Sequence, residues 1–378
     1  MTGAWLLEIR DAAGQVVEAC EDYTAAEFTA RWNQLGTWTL TVPLTSSAAA
    51  LLSRPGYGIV ASLDGVSRFS GYVLSFGADT GDGTANAVFA GVDDLIVLAD
   101  RLASPEPGTA APPYAGAAYD TRSGVCETVV KAYVAVNAGS GAVPARRWAG
   151  LSIAPDLARG ATVTGNARWH RLLDVCAELA LAGGLGLSCV NLVFDVVAPT
   201  DRTTLVEFSA ARGSLGRVQF AQEAPGATYV VVGGGGEGTA RLFVEHANLD
   251  ALGVGWWRAE RFRDARDTSD PVVLAQRATE ELHPDIDDTK LGLTVDAIDT
   301  PGVRWPADYQ LGDLVTVETP FATTVTRQVA ELKISLTAEQ GTTVTPTLGV
   351  LRPEADAVAA AVAALQAQAR RITRLEVR

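Results

Sequence analysis

Two apolar runs, Tyr57-Gly-Ile-Val-Ala-Ser-Leu63 and Phe69-Ser-Gly-Tyr-Val-Leu-Ser-Phe76, flank the dipeptide Asp64-Gly65, and no other stretch restricts the fold as strongly. Asp-Gly between hydrophobic runs favours positive φ at both central positions of a two-residue turn, which selects an antiparallel hairpin and rejects a helix. The neighbourhood repeats this grammar. Asp11-Ala-Ala-Gly14 is a hairpin-type turn after an apolar strand from Leu6 to Ile9, and Trp38-Thr-Leu-Thr-Val42 alternates large apolar with hydroxyl side chains as far as Pro43, the period of a half-buried strand. One helical turn is expected from Ala48 to Leu52, ahead of Arg54-Pro55-Gly56. Residues 1–103 therefore read as a small antiparallel barrel or sandwich.

The texture then changes. Ser104-Pro-Glu-Pro-Gly-Thr-Ala-Ala-Pro-Pro113 can hold neither a helix nor a central strand and marks a boundary or a long surface loop. Beyond it, Cys126, Val129, Val130 and Tyr133 share one helical face, and Trp169, Leu172, Leu173, Cys176, Leu179 and Ala180 form a longer stripe ending at Gly183-Gly184. With strands over 187–197 and 204–208, residues 104–212 make an α+β insert. Residues 213–290 return to strands: Tyr229-Val-Val-Val232 runs into Gly233-Gly-Gly-Gly-Glu-Gly238, and Asp270-Pro271 then starts a helix carrying Leu274, Ala278 and Leu282. Residues 291–353 form a second barrel segment, joined with part of 213–245.

An internal echo links the two strand-rich ends. Gly56-Tyr-Gly-Ile-Val-Ala-Ser62 and Arg68-Phe-Ser-Gly-Tyr-Val-Leu-Ser-Phe76 have counterparts in Leu311-Gly-Asp-Leu-Val-Thr-Val317 and Arg327-Gln-Val-Ala-Glu-Leu-Lys-Ile-Ser335. Each is a glycine-containing strand, a short polar excursion and an arginine-led strand, which is either a structural repeat or the ordinary grammar of hairpins.

After Pro353, residues 354–378 read as a helix. Val358, Val362, Leu365, Ala369 and Ile372 follow at alternating steps of four and three, the spacing that keeps one apolar seam toward a partner helix. Glu376 falls where the next apolar residue is due, and Leu375 beside it is taken as the last seam residue. Two readings stand: a self-associating stem, or a terminal helix folded back on its own domain. The fold class is thus a β-rich α+β multi-domain protein, with two small antiparallel β-barrels, α+β inserts and a C-terminal coiled-coil-like helix.

A chain of 378 residues exceeds the size at which one hydrophobic core stops growing, so several domains are expected. The formal net charge of −14 argues against a nucleic-acid-binding or anionic-membrane surface, because phosphates would be repelled. No apolar run approaches the about eighteen residues of a spanning helix, and the N-terminus lacks the pattern of a secretion signal. Assembly in a cytoplasm and no stable membrane insertion are the expectation. Cys20, Cys126, Cys176 and Cys189 form no Cys-x-x-Cys pair and read as free, buried thiols.

Candidate chemistry is thin. His170, His246 and His283 show no zinc spacing, and His170 with Asp174 on a predicted helix reads as a surface or capped pair. His283-Pro-Asp285-Ile-Asp287-Asp288 gathers oxygen ligands but lacks the glycine and the distal glutamate of a calcium loop, so it reads as an exposed turn. The glycine run precedes a strand rather than a helix and lacks the Lys-Ser/Thr of a phosphate loop, which makes it a hairpin loop. No nucleophile elbow occurs, and no cysteine has a histidine near it in sequence. No catalytic, metal-binding or cofactor-binding residue is assigned, and no cofactor is expected. A β-sandwich carbohydrate-active enzyme is the rival reading; it would place paired carboxylates in a cleft, a three-dimensional property that the sequence leaves open. A glycan-binding module would need an exposed aromatic platform, for which Trp256-Trp257 is the one adjacent tryptophan pair, and that pair is assigned to the barrel core.

Arg31-Trp-Asn-Gln-Leu-Gly-Thr-Trp-Thr-Leu-Thr-Val-Pro43, followed by Phe69-Ser-Gly-Tyr-Val73, resembles the N-terminal barrel of tail-tip hub proteins from long-tailed, non-contractile bacteriophages. The segment from Tyr229 to Val244, with its glycine loop and Arg241, looks like the central segment of that family, and Tyr309-Gln-Leu-Gly-Asp-Leu-Val-Thr-Val317 like its late barrel signature. Such hubs are similar to the central baseplate protein of contractile tails. The resemblance implies a homotrimer in which two related barrels per subunit make a pseudo-sixfold ring, matching a hexameric tail tube to a threefold tip. It further implies contacts with a distal tail protein and the tail tube, a tape-measure protein and a central fibre or other tip proteins. DNA would be met only in transit, and the location would be the distal end of the virion's tail. Many relatives carry a further peptidoglycan-cutting or fibre region after the helix, and no lysin activity is carried over to this chain.

Overall fold

A computed structural model describes residues 4–79, 85–222, 226–253, 255–282, 291–297, 303–318, 324–337 and 341–349. Asp64 and Gly65 both adopt positive φ, at 51° and 76°, and the strands Gly58–Leu63 and Val66–Asp79 pair antiparallel across them. Gly14, at φ 83°, turns the strand Trp5–Arg10 back into Val16–Ala19. The strand Thr37–Pro43 buries Trp38, Leu40 and Val42 and leaves Thr39 and Thr41 half-buried, as its alternation requires. The short helix Ser47–Leu52 is capped by Ser46, whose side chain accepts from the Ala48 N–H.

These strands belong to one thirteen-stranded sheet. Its N-terminal part runs in the spatial order Ala25–Arg31, Thr37–Pro43, Asn86–Asp93, Val66–Asp79, Gly58–Leu63, Trp5–Arg10, Val16–Ala19. Its C-terminal part runs Leu215–Gln222, Leu291–Ala297, Gly341–Gly349, Thr324–Thr337, with Leu314–Glu318 also on the last of these. The halves join where Ala25–Arg31 pairs antiparallel with Thr324–Thr337. Two separate barrels were the expectation. Among the described residues neither half closes, and the sheet keeps free ends at Val16–Ala19 and Leu215–Gln222. The strand Thr324–Thr337 is long enough to serve two cores: Val329 and Leu332 belong to the core with Phe208 and Tyr309, while Ile334 and Leu336 pack beside Phe28 and Trp38. Its edge is therefore spent on the neighbouring half rather than on closure.

The sequence echo corresponds to a shared strand order. Gly58–Leu63 pairs with a strand of 14 residues that in turn pairs with Asn86–Asp93. Leu314–Glu318 likewise pairs with a strand of 14 residues that pairs with Gly341–Gly349.

In the insert, the helix Cys126–Asn137 buries Cys126, Val129, Val130 and Tyr133, and the helix Leu172–Ala182 buries Leu172, Leu173, Cys176, Leu179 and Ala180. Trp169 departs from the expected stripe: it precedes the helix at φ 60° and is 39% exposed. His170 and Arg171 form a two-residue strand against Leu102–Ala103, so His170 and Asp174 do not share a helix. The reason is tertiary: the Trp169 and Leu172 N–H groups donate to the Ala103 and Arg101 carbonyls at a distant strand, which delays helix entry. The strands Gly186–Val190 and Val193–Val197 form a hairpin about Asn191 and Leu192, both at positive φ. Of residues 204–208 only Glu207–Phe208 is strand.

A separate three-stranded sheet, in the order Phe243–Ala247, Tyr229–Gly233, Glu260–Asp264, packs on the helix Pro271–Leu282. Asp270 caps that helix, accepting from the Val272 N–H at 2.9 Å, and Leu274, Ala278 and Leu282 are buried. The glycine run is the loop between the first two of these strands. Trp257 is not core: it is 63% exposed. All four cysteines are free and buried. The seam residues Val358, Val362, Leu365, Ala369, Ile372 and Leu375 lie outside the described residues, as do His283, Asp285, Asp287 and Asp288.

Candidate functional site

Two of the motifs quoted above meet in space. Trp32, from the N-terminal motif, projects from the end of Ala25–Arg31 and is pressed between two glycines of other parts of the chain. A Cβ on Gly186 of the insert would lie 2.1 Å from its Cη2, and one on Gly312 of the late motif 2.1 Å from its Cζ3. Gly312 also adopts φ 91°, which an L side chain resists. The indole is thus a wedge that only two bare backbones can admit. Beside it, Asn33 acts as a short piece of strand, donating from Nδ2 to the Leu185 carbonyl at 3.2 Å and accepting from the Leu187 N–H at 2.8 Å.

The late motif is held by Asp313, whose carboxylate accepts from the Thr200 and Gln310 N–H groups, each at 2.9 Å. The Gly312 N–H donates to the Val329 carbonyl. Arg31 closes the sheet junction by an ion pair to Glu331 at 2.7 Å, and Trp305 stacks on Trp5 with ring centroids 6.1 Å apart.

A second tie joins the N-terminal sheet to the insert. Arg10 and Asp94 form a bidentate ion pair with both side chains fully buried; Arg10 Nη1 donates to Asp94 Oδ2 at 2.7 Å. Asp94 Oδ2 also accepts from Ser70 Oγ at 2.6 Å and from the Leu192 N–H at 3.0 Å, and Ser70 Oγ accepts from the Asn191 N–H. The insert's hairpin turn is therefore fastened to the sheet through one carboxylate. Within the insert, Glu127 plays the same part for Lys131 and Arg159, and those partners hold its carboxyl well below the usual carboxylate range.

Asp93, next to Asp94, accepts from the Gly36 N–H at 2.9 Å and the Leu95 N–H at 3.1 Å. Burial, with the Asp94 charge adding to it, pushes its carboxyl up to about 7 against those N–H groups. The folded protein then holds a proton that the unfolded chain, with the ordinary value of 3.8, releases. The contribution of Asp93 to stability is therefore largest on the acid side and is withdrawn as the pH rises through about 7. The wild type is expected to lose stability relative to Asp93→Asn between about pH 4 and about pH 7; urea midpoints for the two proteins that run parallel across this range would exclude the assignment.

A cavity of about 380 Å³ lies among these elements, lined by Arg31, Trp32, Arg68, Asp93, Cys189 and Trp305 among others. Burial raises the Cys189 thiol well above its ordinary value, Cys126 is pushed up to about 11 and Cys20 to about 12, so none is a ready nucleophile. Among the described residues no His, Cys, Asp or Glu side chains gather as a metal-ligand set, and no helix is long and apolar enough to cross a membrane.

Sequence reasoning singled out Trp32, Asn33, Gly312 and Asp313 only as parts of motifs, and it missed Arg10, Asp94 and Gly186. One signal was available for Asp93 and Asp94: two acids set inside the apolar run Gly91-Val-Asp-Asp-Leu-Ile-Val-Leu98 have to be buried with partners.

No curated protein matches the sequence. Among solved structures, the 43 kDa tail protein of prophage MuSo2 from Shewanella oneidensis is similar at a TM-score of 0.59 and 12% identity, over 93% of this chain and 99% of that one. The prophage tail protein gp18 from Listeria monocytogenes EGD-e is similar at 0.58 and 11%, over 98% and 99%. The tail protein from Neisseria meningitidis MC58 is similar at 0.58 and 11%, over 93% and 97%. At such identities the likeness is one of fold. The family model described as Siphovirus ReqiPepy6 Gp37-like protein matches residues 6–350, a span that takes in both halves of the sheet, the insert and the joint between them, and the chain belongs to that family.

Proposed function

We propose that the chain is a structural protein of a bacteriophage tail and serves as its hub, a homotrimer joining the tube to the tip. The observation that carries this reading is the doubled strand order, a short strand, a strand of 14 residues and a following strand, occurring in both halves of one continuous sheet. Three copies of a chain with two such units would offer six related units to a hexameric tube while keeping threefold symmetry toward the tip. The fold shared with phage tail proteins supports the same reading. So does the joint, which locks three parts of the chain together and presents no activated nucleophile; the role is taken as non-enzymatic.

On this reading one side of the ring meets the distal tail protein and the tail tube, and the other the tape-measure protein and the central fibre or other tip proteins, at the distal end of the virion's tail. DNA passes without binding. The net charge of −14 supports a wall that repels phosphate, provided the acids face the lumen. Val358, Val362, Leu365, Ala369, Ile372 and Leu375 would close as the start of a threefold stem.

Light scattering on the purified full-length chain, beside a version truncated at Leu351, tests this. A trimer is expected. Weakening on truncation would give the association to the stem, survival would give it to the sheets, and a strict monomer at every concentration would count against the homotrimer.

A further inference from the structure

Among the described residues, the sheet Phe243–Ala247, Tyr229–Gly233, Glu260–Asp264 is covered on one side only. Val230 and Val232 turn toward the helix Pro271–Leu282 and are buried with Leu274 and Ala278. By register, the opposite face brings together Val231, Glu245 and Phe262 in one row and Gly233, Phe243 and Asp264 in the next, with Tyr229 and Glu260 beside them. Phe243 is 51% and Phe262 56% exposed, their rings 6.5 Å apart. Single exposed apolar residues are ordinary. Large aromatic side chains gathered at one small sheet are not.

This face is built rather than merely bare. Arg241 places its guanidinium 5.4 Å from the Phe243 ring and 5.5 Å from the Phe262 ring. It is fixed there by the Gly233 and Gly234 carbonyls and by Asp264. A Cβ on Gly233 would come within 2.6 Å of that guanidinium and 2.8 Å of the Phe262 ring, so any side chain there would displace the two groups from these positions. Arg258 lies 3.3 Å over the Tyr229 ring and pairs with Glu260.

Charge decides what fits. Arg241 and Arg258 each have a carboxylate partner, so the face offers no free cation to a phosphate backbone. An apolar protein surface would have to strip water from Glu245 and from the pairs that Glu260 makes with Arg258 and Asp264 with Arg241, and desolvating such a pair can cost more than its attraction returns. A polyhydroxylated ring suits it. Its C–H faces lie against the negative faces of aromatic rings, and its hydroxyls both donate and accept, matching carboxylate acceptors and guanidinium donors already fixed in place. We propose that the open face of this sheet binds a neutral oligosaccharide, through Phe243 and Phe262 with Tyr229 and the paired Arg241 and Arg258 beside them.

The test is affinity electrophoresis of the full-length chain in native gels containing a soluble β-1,4-glucan, β-1,3-glucan, mannan or galactan. Retardation by at least one polymer is expected, weakened about tenfold by Phe262→Ala and by Phe243→Ala. Both positions are exposed, so thermal midpoints and assembly mass should stay at wild-type values in the same samples. Absence of retardation in all four polymers would overturn the proposal, as would retardation that both variants retain. A fall in assembly mass in these variants would also overturn it and give the face to contact between copies; a hub that fails to trimerise but still binds polymer would leave it standing.

Discussion

Replacing Asp94 by alanine is expected to cost the folded protein about 3–5 kcal/mol, because it strands a charge in the interior. Arg10 is fully buried; among the described residues its guanidinium pairs with no carboxylate but Asp94, and its Nε has no hydrogen-bond partner. Without Asp94, the Tyr72 ring 4.4 Å away is the main electrostatic company left to it. The same substitution releases Ser70 Oγ and the Leu192 N–H, so the insert's hairpin loses its fastening to the sheet. Urea unfolding should show a lower midpoint with little change in slope, and hydrogen exchange should quicken at Leu192 before the global transition. Exchanging both partners for apolar residues, Arg10→Met with Asp94→Leu, should recover much of the loss, since an apolar pair of similar volume is often as good as a buried ion pair. A cost for Asp94→Ala below about 1 kcal/mol would mean that the pair is hydrated and does not bear on the joint.

Trp32→Ala should cost a comparable about 3–5 kcal/mol, by a different route. The indole is 4% exposed and is in contact with the backbone of Gly186 and of Gly312. Glycine has no side chain with which to fill the space left behind, so the cavity would persist. The converse change also destabilises: Gly186→Ala drives a methyl group into the ring, an overpacking worth about 1–3 kcal/mol, and Gly312→Ala adds the strain of its positive φ. Wedge and seat should therefore couple. In the double variant Trp32→Ala with Gly186→Ala, the new methyl enters vacated space, and the combined loss should be smaller than the sum of the two single losses. Strict additivity would show that the indole does not rest on Gly186 in solution.

Turns and helix starts were legible in the sequence. Asp64-Gly65, the Gly14 turn and Asp270-Pro271 before the helix Pro271–Leu282 each act through φ preferences and hydrogen bonds spanning a few residues. Alternation in Thr37–Pro43 told which side chains turn inward. Trp169 was misread because its apolar character suits the helical stripe, whereas its N–H is claimed by Ala103, well over a helical turn away in sequence. Trp257 was misread because an aromatic pair looks the same in a core or on an open face; whether a second layer covers that face is not written in the strand.

The joint divides the same way. Trp32, Asn33, Gly312 and Asp313 stood out as motif residues, but their partners lie far along the chain: Asn33 reaches Leu185 across 152 positions, and Arg31 reaches Glu331 across 300. Local pattern determined the strands, the hairpins, the insert's helices and the inward faces. Tertiary structure alone decided that the two strand-rich halves merge into one sheet, that a tryptophan wedges between two distant glycines, and that two adjacent aspartates are buried differently, one ion-paired and one bonded to two backbone N–H groups with its carboxyl pushed up by burial. The physical reason is that the entropy of closing a loop rises only slowly with its length. Contacts of such long range are thus affordable to the fold without leaving any mark on the residues between them.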